Sequence, residues 1–266
     1  MSSYYKLIER VTETEEGVVT AHYCSTIHAQ GAWNPHEQHM GPASGIMAAE
    51  LERFSPRADM RIGRISFDVF GLISEGEFSI TTRVIRPGKT IELLEAEMQA
   101  NGRVCVVARA WRMQIQESAE IAALEDQPVL HPDSLKHWDG MQHWPGAYVK
   151  SLEVKADANH RAGKGIVWLR NGKEMIEGQA TSDFVRLIGM VDTANGVAAR
   201  QGKEITWGFP NLDLQIHMYR YPTGKWLGLE TLQQYGADGI GITSAILHDT
   251  QGPFGRSEQI LTLRKI

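Results

Sequence analysis

A chain of 266 residues, 42% of them hydrophobic, can build one large domain or two of modest size, each with its own core. Twenty-seven Lys and Arg against 32 Asp and Glu give a net charge of −5, and no basic stripe is visible, which argues against a general nucleic-acid binder. No apolar run approaches the ~20 residues of a membrane-spanning helix, the polar start has no signal-peptide core, and two cysteines, Cys24 and Cys105, make no disulfide framework, so a reduced, cytoplasmic setting is expected.

Taken in order, Tyr4 to Val11 and Val18 to Tyr23 read as a hairpin around the acidic Glu13-Thr14-Glu15-Glu16-Gly17 turn. In GAWNPHEQHMGPASGIMAAELERFSP, Pro42 suits a first helical turn, Met47, Leu51 and Phe54 share a face, and Ser55-Pro56 stops the run, which predicts a helix over 42–54. Four strands follow: Arg61 to Phe70, Gly76 to Arg86, Thr90 to Ala100 and Arg103 to Met113, the last two joined by the tight-hairpin signal Asn101-Gly102. Leu94, Ala96 and Met98 alternate with Glu95, Glu97 and Gln99, so one face is expected buried and the other wet.

Residues 116–150 change character and read as a linker, acidic at first and then rich in Pro and Gly; Trp138 and Trp144 carry too much apolar surface to be left in water, so it should pack down. From Leu187 to Arg200, residues Leu187, Val191, Ala194 and Ala198 recur at helical spacing. Asn211 to Leu263 then holds four apolar runs divided by turn signals at 221–224, 236–239 and 249–252, a meander of antiparallel strands.

The two halves thus share one pattern. Gly102 falls opposite Gly252, and Ala48-Ala49 opposite Ala198-Ala199, at the same offset of 150 positions. Two copies of a helix with an antiparallel sheet make an α+β protein, with units at 1–115 and 151–266 on either side of the linker.

The second half in particular, through Ile216-His217-Met218-Tyr219-Arg220, Pro222, Gly224, Trp226, Leu227, Gly252 and Gly255-Arg256-Ser257-Glu258-Gln259, resembles the double-hotdog acyl-CoA thioesterases of the thioesterase II type. The resemblance implies two hotdog units with sheets joined edge to edge, an acyl-CoA substrate hydrolysed without a covalent nucleophile, and no cofactor beyond the coenzyme A of the substrate itself. It also implies a water-orienting site of an Asp on the second helix, a hydroxyl residue at the following strand and a Gln on the last strand. Carried over, these are Asp192, Asn211 and Gln259, with Asn211 a departure because an amide replaces the hydroxyl. His39, Gly41 and Gly45 approximate a His-Gly-Gly-type stretch before the first helix that approaches substrate.

Thioester hydrolysis by itself asks for a water polarised by an acceptor, a donor for the developing oxyanion and an apolar slot for the acyl chain. Asp192 lies near Ile188, Gly189 and Asn195 on a helical wheel, towards the sheet or an interface; it also reads as a cap before Ala194-Asn195-Gly196. Gln259 alternates with Leu261 and Leu263 and should point inward, where it needs a partner. Asn211 after Pro210 also reads as a turn residue. The acyl chain is expected in a tunnel between the paired helices, and the chain is expected to self-associate through sheet edges and helices, with no nucleic-acid or membrane partner.

Two other chemistries are weaker. Trp33-Asn34-Pro35-His36 resembles part of a hotdog hydratase motif, but Ala32 and Glu37 stand where its Asp and His belong. His36, Glu37 and His39 lack the spacing of a metal site. A non-hydrolysing binder of acyl thioesters is the rival from another class.

Overall fold

The computed structural model describes residues 2–13, 17–201 and 204–266, so positions 14–16 of the acidic turn lie outside the described residues. Strands β1 (Ser3–Glu13) and β2 (Val18–Ser25) lead to helix α1 (Met40–Arg53) and then to β3 (Met60–Val69), β4 (Glu77–Arg86), β5 (Ile91–Ala100) and β6 (Arg103–Gln114). The connecting segment contributes β7 (Lys136–His137) and the single turn α2 (Ala147–Lys150). Beyond it come β8 (Glu153–Ala156), β9 (Lys164–Arg170), β10 (Glu174–Ile176), α3 (Asp183–Val191) and α4 (Ala194–Val197). The last part holds β11 (Trp207–Gly208), β12 (Asp213–Met218), β13 (Leu227–Tyr235), β14 (Ile240–Asp249), β15 (Gly252–Thr262) and β16 (Arg264–Lys265).

Fourteen of these strands form one sheet in the order β10-β1-β2-β4-β5-β6-β3-β12-β15-β14-β13-β9-β8-β7. The halves meet where β3 and β12 pair antiparallel, with Ile216 opposite Ile65 and Asp213 opposite Asp68. Against this sheet α1 packs on β4 and β5, and α3 on β13, the double-hotdog arrangement. Local signals explain the turns: Asn101 and Gly102 both take positive φ, 50° and 69°, as a two-residue hairpin of this hand requires. Gly252 sits at its own turn with φ 122°.

Two expectations are corrected. On β5, Glu95 belongs to the face read as wet, yet it is buried, because Arg83 and Arg109 from the neighbouring strands both bond its carboxylate. The second helix begins four residues earlier than its apolar pattern, at Asp183 behind the Ser182 hydroxyl that caps the Val185 N–H at 3.2 Å. Then it breaks at Asp192-Thr193 and resumes as α4. Consequently Ala48-Ala49 lies within α1 whereas Ala198-Ala199 lies past α4, and that pairing of the halves is not structural. Gly102, just before β6, and Gly252, the first residue of β15, do correspond: each takes positive φ at the turn into a long strand.

The two long helices run antiparallel and touch. A Cβ added to Gly45 would stand 3.0 Å from the Gly189 Cα and 2.3 Å from the Met175 Cε. Ser44 Oγ donates across the crossing to the Ile188 carbonyl at 3.3 Å, and the buried Tyr148 hydroxyl donates to the Gly189 carbonyl at 2.7 Å. A tunnel between the helices, as expected from the sequence, has no room here. The contact is glycine on glycine, so Gly45→Val is expected to cost about 1–3 kcal/mol through forced separation of backbones; urea unfolding reads it, and an unchanged midpoint would refute the packing argument.

Candidate active site

The helix break delivers Asp192 to the end of α3, where its carboxylate is buried. Two amides reach it from the sheet. Asn211 Nδ2 donates to Asp192 Oδ1 at 3.1 Å and to the Asp213 carbonyl at 3.0 Å. Gln259 Nε2 stands 3.4 Å from the same Oδ1 and 3.3 Å from the Asp192 carbonyl. Their proximity follows from register: Asn211 bridges Leu261 on β15, two residues beyond Gln259, whose side chain points inward from that strand. All three residues expected to form the site are therefore brought together.

His39 joins them from the other helix, because the antiparallel crossing sets the start of α1 beside the end of α3. Its Nδ1 accepts the Gly41 N–H at 3.0 Å, capping α1, and lies 3.3 Å from Asp192 Oδ2. An imidazole accepting at Nδ1 carries its proton on Nε2. Burial lowers the His39 pKa to about 4, so the ring is neutral near pH 7. Burial likewise raises Asp192 to about 7, against a smaller opposite effect of the Asn211 hydrogen bond.

Gly41 and Gly45 sit elsewhere. A Cβ on Gly41 would meet the Tyr148 hydroxyl at 2.7 Å, and Gly45 faces the other helix, so neither lines the cavity and their small size serves packing. His36 is exposed and pairs with Glu75, away from the site.

A cavity of about 690 Å³ opens onto His39, Asp192 and Asn211. Part of its wall was not marked for chemistry in the sequence: Trp33, Trp144 and Phe209 form a ring cluster, with centroids 5.3–5.8 Å apart and planes crossing at 66–90°. Trp144 shows that the connecting segment packs down, here into the site. Glu37 also lines the cavity, with both the Trp33 and Asn34 N–H groups on its Oε1. Behind Asp192, the side chains of Gln233, Thr243 and Asn195 bond one another, all buried. Asn195 was visible in the sequence as a neighbour of Asp192 on the helical wheel, but its sheet partners were not.

The chain matches two family models, the acyl-CoA thioesterase N-terminal domain over residues 29–113 and the acyl-CoA thioesterase C-terminal domain over residues 125–263. No curated protein matches it. Among solved structures, it is similar to a conserved hot-dog-fold protein of unknown function from Alicyclobacillus acidocaldarius, with a TM-score of 0.75 at 11% identity over 97% of this chain and 96% of that one. The acyl-CoA thioesterase II TesB2 of Mycobacterium marinum gives 0.68 at 12% identity, over 97% and 96% of the two chains. The tesB protein of Mycobacterium avium subs. paratuberculosis gives 0.65 at 13%, over 96% of each.

The raised Asp192 pKa has a stability consequence whose sign is fixed. The folded state keeps this proton up to about pH 7, whereas the unfolded chain releases it near the ordinary carboxylate value of 3.8, so this group's contribution to stability falls as pH rises between the two. Asp192→Asn is expected to stabilise the fold by about 2 kcal/mol at pH 8 and by less at pH 5. Thermal melts at the two pH values test this; an equal or opposite change would show the carboxylate to be compensated.

Proposed function

The chain belongs to the acyl-CoA thioesterase family and is a hydrolase of that kind, and we propose that its reaction takes place at Asp192, with Gln259 and Asn211 holding the attacking water. The observation that carries this reading is a buried carboxylate with no Lys or Arg beside it among the described residues, open to a cavity and held by two side-chain amides. Ionised, Asp192 takes a proton from a water as that water attacks the thioester carbonyl carbon. The tetrahedral intermediate then breaks its C–S bond; the acid departs, and coenzyme A leaves as the thiol, its sulfur receiving the proton.

Asn211 donates to Asp192 Oδ1 through its amide nitrogen, the donating half of what a hydroxyl would do, and leaves its own oxygen to accept from the water. One hydrogen of that water goes to Asp192, and its other can go instead to Gln259 Oε1, which is buried without a partner among the described residues. For the oxyanion, the first N–H of α1, at Met40, is available on the cavity wall: Gly41 is occupied by His39, and Pro42 has no N–H. The helix N-terminus favours the negative charge that develops there. His39 caps this donor helix and keeps a neutral ring against Asp192. No cofactor enters the scheme; coenzyme A is part of the substrate.

Only the ionised form of Asp192 serves as base, so kcat/KM for an acyl-CoA is expected to rise with pH, through a midpoint near 7, to a plateau. Asp192→Asn should lower kcat by about 10³-fold or more and Gln259→Ala by about 10²-fold. Thiol release followed with a chromogenic disulfide reads all three. Full turnover in Asp192→Asn sinks the assignment, and tight acyl-CoA binding by wild type without turnover would make the chain a binder instead.

A further inference from the structure

The cavity in front of Asp192 has the wrong walls for a long, flexible chain. Its continuation between the helices is closed by the Gly45–Gly189 contact and by Tyr148. Its continuation beneath them, towards the sheet, is filled by Gln233, Thr243 and Asn195, whose side chains satisfy one another; Thr243 stands directly opposite both Gln233 and Gln259 in the ladder. Driving a polymethylene chain through that layer would strip buried polar groups of their partners, at a cost of about 1–3 kcal/mol for each group left unpaired.

What one wall of the cavity offers is aromatic, facing the aliphatic side chains of Leu72, Ile73 and Leu212. Trp144 and Phe209 are buried, and Trp33 stands 45% exposed at the mouth, its ring plane at 90° to that of Phe209. Edge-to-face rings of this kind are stiff walls that accept a further ring in offset or edge contact, worth about 0.5–1.5 kcal/mol beyond area burial. Gly196 lines the same wall, and a Cβ added there would meet Met141 Cε at 3.5 Å and Trp144 Nε1 at 3.8 Å, ordinary contact distances at the cavity's surface.

The geometry points to acyl groups that end in a single planar ring, held among Trp33, Trp144 and Phe209, as the preferred substrates over long straight-chain acyl groups. This selectivity rests on the reading of Asp192 as the hydrolytic base, since it takes the acyl group to lie in the cavity beside that residue.

The test is a series of coenzyme A thioesters (acetyl, hexanoyl, phenylacetyl, decanoyl and tetradecanoyl) given to wild type, Trp33→Ala and Gly196→Ala. Wild-type kcat/KM is expected to be highest for phenylacetyl and at least about tenfold lower for decanoyl and tetradecanoyl, the ratio that about 1.4 kcal/mol supplies. Trp33→Ala, at an exposed position, and Gly196→Ala, which adds one methyl at ordinary contact distances, should each lower phenylacetyl kcat/KM about threefold to tenfold, mainly through KM, with acetyl changed less than about twofold. Equal or faster turnover of tetradecanoyl than phenylacetyl overturns the proposal, as does a uniform loss across the series in both variants. Binding to Asp192→Asn by calorimetry separates selectivity from hydrolysis. Tighter binding of phenylacetyl-CoA than of decanoyl-CoA supports the ring pocket even where no thioester turns over, and the reverse order overturns it.

Discussion

An unpaired carboxylate held out of water is the constraint around which this site is arranged. Burying Asp192 without a cation is expensive, and the fold meets the expense with amides rather than with a guanidinium, which leaves the proton exchangeable near neutrality. Several features of the fold are needed for that. The interruption between α3 and α4 puts Asp192 at a helix end, whose partial negative charge acts in the same direction as burial. Pairing of β12 with β15 supplies Asn211 and Gln259 at adjoining positions. The antiparallel helix crossing, tight enough to need Gly45 and Gly189, sets His39 and the free end of α1 opposite.

The periodic part of this design was legible in the sequence. Alternation on β5, the Asn101-Gly102 hairpin and the four runs after Asn211 follow from local rules, and each appears within a residue or two of its expected place. Where long-range contact overrides local pattern, reading failed. Glu95 alternates like a solvated residue and is buried because two arginines come from other strands. The start of α3 was missed because the apolar stripe before Leu187 is interrupted by Arg186, which is itself buried and satisfied by Asn171 and the Lys173 carbonyl. Gly41 and Gly45, both within α1, were expected to approach substrate, but a sequence does not say what comes close. For Gly41 and Gly45 it is Tyr148 and the second helix.

The aromatic wall of the proposed site was the least legible, for a related reason. Trp33, Trp144 and Phe209 come from a loop before α1, from the connecting segment and from the approach to β12, and each alone reads as an ordinary apolar residue. Only tertiary assembly turns them into a wall. The connecting segment thus lines the cavity of the proposed site as well as joining the sheet through β7.

The helix pair has two ends, and their differing electrostatics favour one of them as the candidate site. At the far end, the last turn of α1 meets the first turn of α3: Ser182 Oγ and the Tyr221 hydroxyl both donate to Glu52, and Tyr221 stacks on Phe184 with ring planes 14° apart. Nearby, the buried Glu50 receives Arg10, Arg53 and the Tyr23 hydroxyl. Glu50 and Glu52 there each have a cation or hydroxyl donors, and aromatic surface covers the seam, so their charge is spent on cohesion. At the near end Asp192 has no Lys or Arg beside it among the described residues, and it faces a cavity. Two ends of one helix pair therefore separate into a fastener and a candidate reactive site through the partners given to their carboxylates.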